Sequence, residues 1–465
     1  MNEKLVFALG CIDNTYVTEA AKKKRKKKIF LSAVAAVLAL AVLTNLPTIP
    51  FVITAKAVAL AAGSEIPDRE DGFDAYWAVR EKNMEAAGEV SMQLRGFFRE
   101  ASEKFLSVED KNQIWSPANA AVALSVLAET ASGSTRQEVL DLLGISHVES
   151  LRDYIGDMWE SANKDDGHNV STLANSLWLD GDMRYDQAVM DTLAEEYHAS
   201  VYQAELGTGR ANRAIQSWVN NNTGGLLQQM SKGIDVSAQT PAIDTALAMA
   251  STVHIQAKWS DEFSAARNTH DVFHGSVSDV DATYMNKKEE QMEYYWAEDF
   301  GAVAQYMKNG LKMWFFLPDE DKTVSDVLAD EDYLAVIACG VETYENHKQM
   351  KVNLSVPKFD ISDSLDLKAG LQELGLSEAF DENGGDFGTT FETDLPIFVS
   401  RVNQASRVII DEQGVTAASY IELGWGAEAA APVDEIIDFV LNRPFVFAIA
   451  TTEGVPLFIG TINQL

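Results

Sequence analysis

The chain of 465 residues reads as an α+β protein. Two patterns point there: runs with the 3.6-residue helical period concentrate in the first half of the body, and runs with the two-residue strand period concentrate in the second. The regular strand–helix alternation of a parallel βαβ sheet is not present.

In chain order, "VSMQLRGFFREASEKFLS" (Val90 to Ser107) repeats apolar residues at helical spacing, with Met92, Leu94, Phe97 and Phe98 on related faces. "PANAAVALSVLAETASGSTRQEVLDLLG" predicts an alanine-rich helix buried on all sides and ending near Ser132-Gly133. A second helix follows, capped by Ser134 or Thr135 with Glu138 close behind. Strands are predicted for "STLANSLWL" (Ser171 to Leu179), "MWFFLP" (Met313 to Pro318) and "KVNLSVPKF" (Lys351 to Phe359). Three more are "SRVIID" (Ser406 to Asp411), "PFVFAIAT" (Pro444 to Thr451) and "PLFIGTI" (Pro456 to Ile462).

Composition bounds the function. A chain that is 46% hydrophobic can bury a large core, and a net charge of −33 repels nucleic acid and heparin-like polyanions. Cys11 and Cys339 are the only cysteines, which excludes a disulfide framework and a cysteine zinc site. Residues 1–62 hold 9 Lys+Arg and 3 Asp+Glu, whereas the remainder holds 28 against 67. Tail and body therefore suit different environments.

The tail predicts export. "KKKRKKK" (Lys22 to Lys28) precedes "IFLSAVAAVLALAVL" (Ile29 to Leu43), an order that keeps the N-terminus cytoplasmic. The domain boundaries expected are a basic tail at 1–28, a signal-anchor or signal peptide at 29–62, a polar linker at 63–88 and one domain at 89–465. An anchor reaches spanning length by extension through Ile53, and a signal peptide would be cut near Ala55-Lys56-Ala57. Lipid attachment at Cys11 is a third possibility, weakened because the seven cations would then lie outside. The expected location is extracellular and membrane-anchored at a bacterial surface, with secretion after cleavage as the alternative.

Catalytic signatures are missing. The sequence has no G-x-S-x-G, H-E-x-x-H, Walker A or C-x-x-C motif, so it nominates no enzyme, cofactor or metal site. His270 and His274 sit four apart, but "NTHDVFH" alternates as a strand end rather than a helix.

"FVLNRPFVFAI" (Phe439 to Ile449) resembles the signature of the serpins, serine protease inhibitors that trap their target by inserting a loop into a sheet. "IWSPANAAVALSVLAETASGSTRQEV", "IQSWVNNNTGGLLQQM", "IQAKWSDEF", "THDVFH", "MWFFLPDE", "VPKFDISDSLDLKAGLQELGLSEAF" and "PLFIGTI" are similar to further blocks of that family, in its order. The resemblance covers Val90 to Leu465. It implies three β-sheets, about eight to nine helices and an exposed reactive-centre loop, carried by a monomeric domain with no catalytic residues of its own.

The resemblance also assigns sites. "DEQGVTAAS" is similar to the hinge, giving Glu412, Gln413, Gly414, Val415, Thr416, Ala417, Ala418 and Ser419. Beyond Gly414 the chain alternates, with Val415, Ala417, Ser419, Ile421, Leu423, Trp425 and Ala427 forming a more apolar or small-residue face, as a half-buried strand requires. Counting seventeen residues from Glu412 puts the scissile bond between Glu428 and Ala429, with bonds at Ala427, Ala430 or Ala431 as alternatives. The positions matching the shutter are Ser116, Asn119, Ser251 and Gln404, where the family's usual asparagine and histidine are replaced at the last two. The implied partner is a target protease held as a covalent acyl-enzyme. Serine endopeptidases come first and cysteine endopeptidases second, with pockets for small residues or for Glu. Tyr420 and Ile421 are bulkier than usual, and the alternative is a non-inhibitory serpin acting as a surface binding or structural protein.

Overall fold

A computed structural model of the chain describes residues 52–53, 88–165, 169–181, 183–206, 208–223, 247–338, 344–381, 383, 385–392, 397–399, 402–415 and 435–465. Most of the leader and of the linker, and the loop from Thr416 to Asp434, lie outside the described residues.

Nine α-helices are described. They are α1 (Arg95–Phe105), α2 (Pro117–Thr130), α3 (Gly133–Leu143), α4 (Val148–Ala162), α5 (Gln187–Glu195), α6 (Gly209–Asn222), α7 (Val324–Ala329), α8 (Asp332–Ile337) and α9 (Lys368–Glu373). Strands β1 to β6 span Val52–Ile53, Gln113–Trp115, Lys164–Asp165, Val170–Asp180, Arg184–Tyr185 and Ala199–Ala204. Strands β7 to β12 span Leu247–Lys258, Thr269–His274, Asp279–Trp296, Phe300–Tyr306, Lys312–Pro318 and His347–Pro357. Strands β13 to β19 span Phe359–Asp366, Phe391–Glu392, Asn403–Ile410, Gly414–Val415, Ile436–Val440, Phe445–Ala450 and Pro456–Ile462.

The α+β class and the predicted strands stand, with boundaries shifted by a few residues. Met313 to Pro318 lies in β11, and Pro456 to Ile462 is β19. The run from Lys351 to Phe359 is broken at Lys358, which separates β12 from β13. Helix α2 is buried on every side and fills the core, as its alanines predicted. The cap of α3 differs from expectation: the N-cap is Ser132, and Glu138 accepts hydrogen bonds from the Ser377 and Glu378 amides at 2.8 Å each. His270 and His274 lie on β8, beside Thr283 and Asp279.

Hydrogen-bond continuity redraws the sheets. Strands β8, β9, β10, β11, β12, β17, β18, β19 and β2 form one nine-stranded sheet. The central sheet is in two pieces among the described residues: β1-β6-β4-β7-β16, with β3 on β4, and the pair β13-β15. Strand β1 joins antiparallel to the outer edge, Val52 opposite Gln203 and Ile53 opposite Tyr202. Along β4, Leu173, Leu177 and Leu179 pack into the main core, while Trp178 meets Trp218 of α6 on the opposite face. That alternation fixes which side of the central sheet faces inward.

A gap in the central sheet as the candidate functional site

Among the described residues, strands β7 and β15 belong to separate ladders that meet at the turn from Asp411 to Gly414. β7 pairs with β4 along one edge from Leu247 to Gln256, and among the described residues its other edge is paired near its end, where Gly414 lies opposite Lys258 and Val415 opposite Ala257. β15 pairs with β13 along its full length, Asn403 opposite Asp366 to Ile410 opposite Phe359. No ladder joins β7 to β15 among the described residues. A strand edge without a neighbour presents a row of backbone donors and acceptors to which a further strand can add.

The head of the gap is a tight turn. Asp411 and Gly414 form an antiparallel bridge, and the Asp411 carboxylate accepts from the Gln413 amide at 2.8 Å and the Gly414 amide at 3.2 Å. Such a side-chain-to-backbone pattern is why aspartate starts turns. Gly414 has φ +147°, and a Cβ there would lie 2.3 Å from the Ala257 carbonyl oxygen and 2.6 Å from the Lys258 Cα. Only glycine permits β16 to approach β7 so closely.

Three further contacts clamp this turn. The Trp259 amide donates to the Gln413 carbonyl at 3.0 Å, its indole Nε1 to the Asp411 carbonyl at 2.9 Å, and the Phe263 amide to the Glu412 carbonyl at 3.0 Å. The Glu412 carboxylate receives Lys358 Nζ and Asn268 Nδ2, both at 2.5 Å. Burial alone would raise its pKa, but the bonds from Lys358 and Asn268 outweigh that and hold it below the ordinary value.

Midway along the gap, the first turn of α2 reaches both sides. Ser116 caps the helix by accepting from the Asn119 amide at 3.3 Å, ahead of Pro117 in the first helical position. Its hydroxyl donates to the Leu457 carbonyl at 2.5 Å. Gln404 of β15 holds the Ser116 backbone twice: Oε1 accepts from its amide at 2.6 Å, and Nε2 donates to its carbonyl at 3.2 Å. One turn away, Asn119 Oδ1 bonds Ser251 Oγ of β7, and Ser251 also bonds Asn175 of β4. The end of α2 thus spans the gap from below, tied to β15 through Ser116 and to β7 through Asn119.

All four positions assigned to the shutter come together here. Glu412, Gln413 and Gly414 sit at the head of the gap, and Val415 continues them in β16. Thr416, Ala417, Ala418 and Ser419 lie outside the described residues, as do Glu428, Ala429, Ala427, Ala430 and Ala431. Sequence reasoning missed Asn175, Asn268 and Lys358 as members. Asn175 carried a visible signal, because it interrupts the inward row of leucines on β4. The other two show none, since their partner Glu412 is distant in sequence.

Comparison with known proteins agrees with this geometry. The family model for serpins, serine protease inhibitors, matches residues 95–465. Serpin-ZX of Arabidopsis thaliana is 25% identical over 373 residues, covering 76% of this chain and 92% of its own length. The crystal structure of tengpin, a thermophilic serpin, in the native state superposes with a TM-score of 0.67 at 24% identity, covering 87% of this chain and 96% of tengpin. Human thyroxine-binding globulin, complexed with thyroxine, superposes with a TM-score of 0.65 at 20% identity over 82% of this chain and 99% of its own. The family match takes in the nine described helices and every strand from β2 onward, and the chain belongs to the serpin family.

Proposed function

We propose that this chain is a suicide-substrate inhibitor of serine endopeptidases that traps the acyl-enzyme by inserting its cleaved loop between β7 and β15. The observation that carries the proposal is the agreement of two pairings. Continued along β7 from Gly414 opposite Lys258, the loop would bring Ala417 opposite Ile255, Ser419 opposite Val253 and Ile421 opposite Ser251. Continued along β15 from the Asp411–Gly414 bridge, the same residues would fall opposite Val408, Ser406 and Gln404. One register satisfies both edges. It turns the apolar set Val415, Ala417, Ile421 and Leu423 toward the core side of the sheet, the side of Ile255, Ala257, Val408 and Ile410.

The protease hydroxyl attacks the Glu428 carbonyl carbon, the Glu428–Ala429 bond breaks, and the Ala429 amine leaves with a proton. What remains is an ester to the enzyme. Insertion then carries that ester along the sheet and pulls the catalytic groups out of register, which halts hydrolysis because the oxyanion site depends on fixed geometry. A cysteine endopeptidase would form a thioester by the same route. Pockets for small residues suit Ala427 and Ala429 to Ala431, whereas Glu428 suits a Glu-preferring enzyme. The basic-then-apolar leader supports display outside a membrane, at a bacterial surface, by a monomeric domain.

The test is to incubate the full chain with elastase-like, subtilisin-like and Glu-specific proteases. An SDS-stable adduct is expected, with release of a fragment beginning at Ala429. The kinship in fold with thyroxine-binding globulin frames the other outcome: clean cleavage with no adduct and no inhibition would leave a substrate or a binding protein.

A further inference from the structure

We infer that Asn175 of β4 is a positioning residue that holds Ser251 against Asn119 and thereby ties the β4–β7 half of the sheet to α2. The inference rests on the inhibitory reading only for its effect on trapping. Asn175 is 4% exposed and occupies an inward row otherwise filled by Leu173, Leu177 and Leu179. An amide buried in such a row destabilises unless it is hydrogen-bonded.

Its cross-strand partner is Ser251, directly opposite in the β4–β7 ladder. Ser251 Oγ lies against two amide oxygens, Asn119 Oδ1 and Asn175 Oδ1. A hydroxyl has one proton, so Ser251 donates to one amide and must receive from the other. Asn119 takes the proton. Turning the Asn175 amide by half a rotation exchanges Oδ1 for Nδ2 against the hydroxyl, and this gives a partner to a buried donor that otherwise has none. In this arrangement Asn175 aims the Ser251 proton at α2, whereas an unaided serine on a strand is free to turn toward nearby backbone.

The consequence is one-sided. Gln404 and Ser116 bind β15 to α2 without any contribution from Asn175. Removing Asn175 should therefore loosen β7 and leave β15 held, lowering the barrier to opening the gap from the β7 side.

Amide hydrogen exchange on the full, uncleaved chain tests this. In Asn175→Ala, peptides from Leu247–Lys258 should exchange on the order of tenfold faster, the loss expected for one buried hydrogen bond, while peptides from β13 and β15 keep their parental rate. The exchange of roles, Asn175→Ser with Ser251→Asn, keeps one amide and one hydroxyl in the same pair and should return β7 to the parental rate. Unchanged β7 exchange in Asn175→Ala, or equal acceleration of β7 and β15, would overturn the inference. So would failure of the exchanged pair to restore β7. If the parental chain traps no protease while the exchange pattern appears, the tie stands and the inhibitory reading falls.

Discussion

Glu412 is the charge at the head of the gap. Its carboxylate is drawn in by Lys358 and Asn268, and its pKa in the fold lies below the ordinary 4.5. A depressed carboxyl pKa contributes stability that is fully present above the unfolded value and disappears as pH falls through the folded one. Glu412→Gln should therefore lower the melting temperature of the uncleaved chain at neutral pH. The gap between variant and parent should begin to close below about pH 4.5 and vanish once Glu412 is protonated in the fold. Thermal scans of both proteins from pH 7 to pH 3 measure this, and an equal difference at both ends would remove the charge from the explanation. Gly414 acts beside it through shape alone. Its positive φ and the Ala257 carbonyl leave no room for a side chain, so the position is set by the approach of two backbones.

At the scale of elements, the decisive feature is a strand that β7 and β15 can receive. Position 417 discriminates, because the shared register would set it between Ile255 and Val408, both buried. Ala417→Arg leaves the bait untouched but would place a charge in the core side of the sheet, at a cost of several kcal/mol without a partner. Cleavage should continue at the parental rate while SDS-stable adduct falls at least tenfold. Parental adduct yield on a gel would mean that this residue does not enter the sheet facing inward. Much of this was legible beforehand: strand periods located β4, β11, β15 and β19, and the serpin-like motifs led to Ser116, Asn119, Ser251 and Gln404. The gap itself was not. It is a missing pairing between strands some 150 residues apart in the sequence, and a periodic pattern states that a segment is a strand without stating what lies beside it. Asn175 shows the same limit, since its polarity stands out in an apolar row but its partner on β7 comes only from the register.

For the whole molecule, the proposal makes cleavage a stabilising event, the reverse of the usual effect of nicking a chain. Before cleavage the central sheet is two pieces that meet at the turn from Asp411 to Gly414 among the described residues, and α2 bridges them from below. A strand inserted between them would pair with β7 and β15 at once and convert the pieces into one sheet. It would also cover Met249, a large apolar residue of β7 that is 36% exposed. Ordering the loop opposes this at about 1–2 kcal/mol per residue, so apolar burial must act together with two new ladders and the cover given to the open edges. A net gain on the order of 5 kcal/mol would raise the melting temperature by about 6 °C in a domain of this size. Limited proteolysis in the loop followed by calorimetry should show that rise, together with a higher urea midpoint and slower amide exchange across β7 and β15. The joint change distinguishes insertion from simple removal of a loop, which would leave those strands exchanging as before. A cleaved chain that melts at or below the temperature of the intact one would mean that the sheet stays open after cleavage, and an open sheet has no means of displacing a protease bound through an ester.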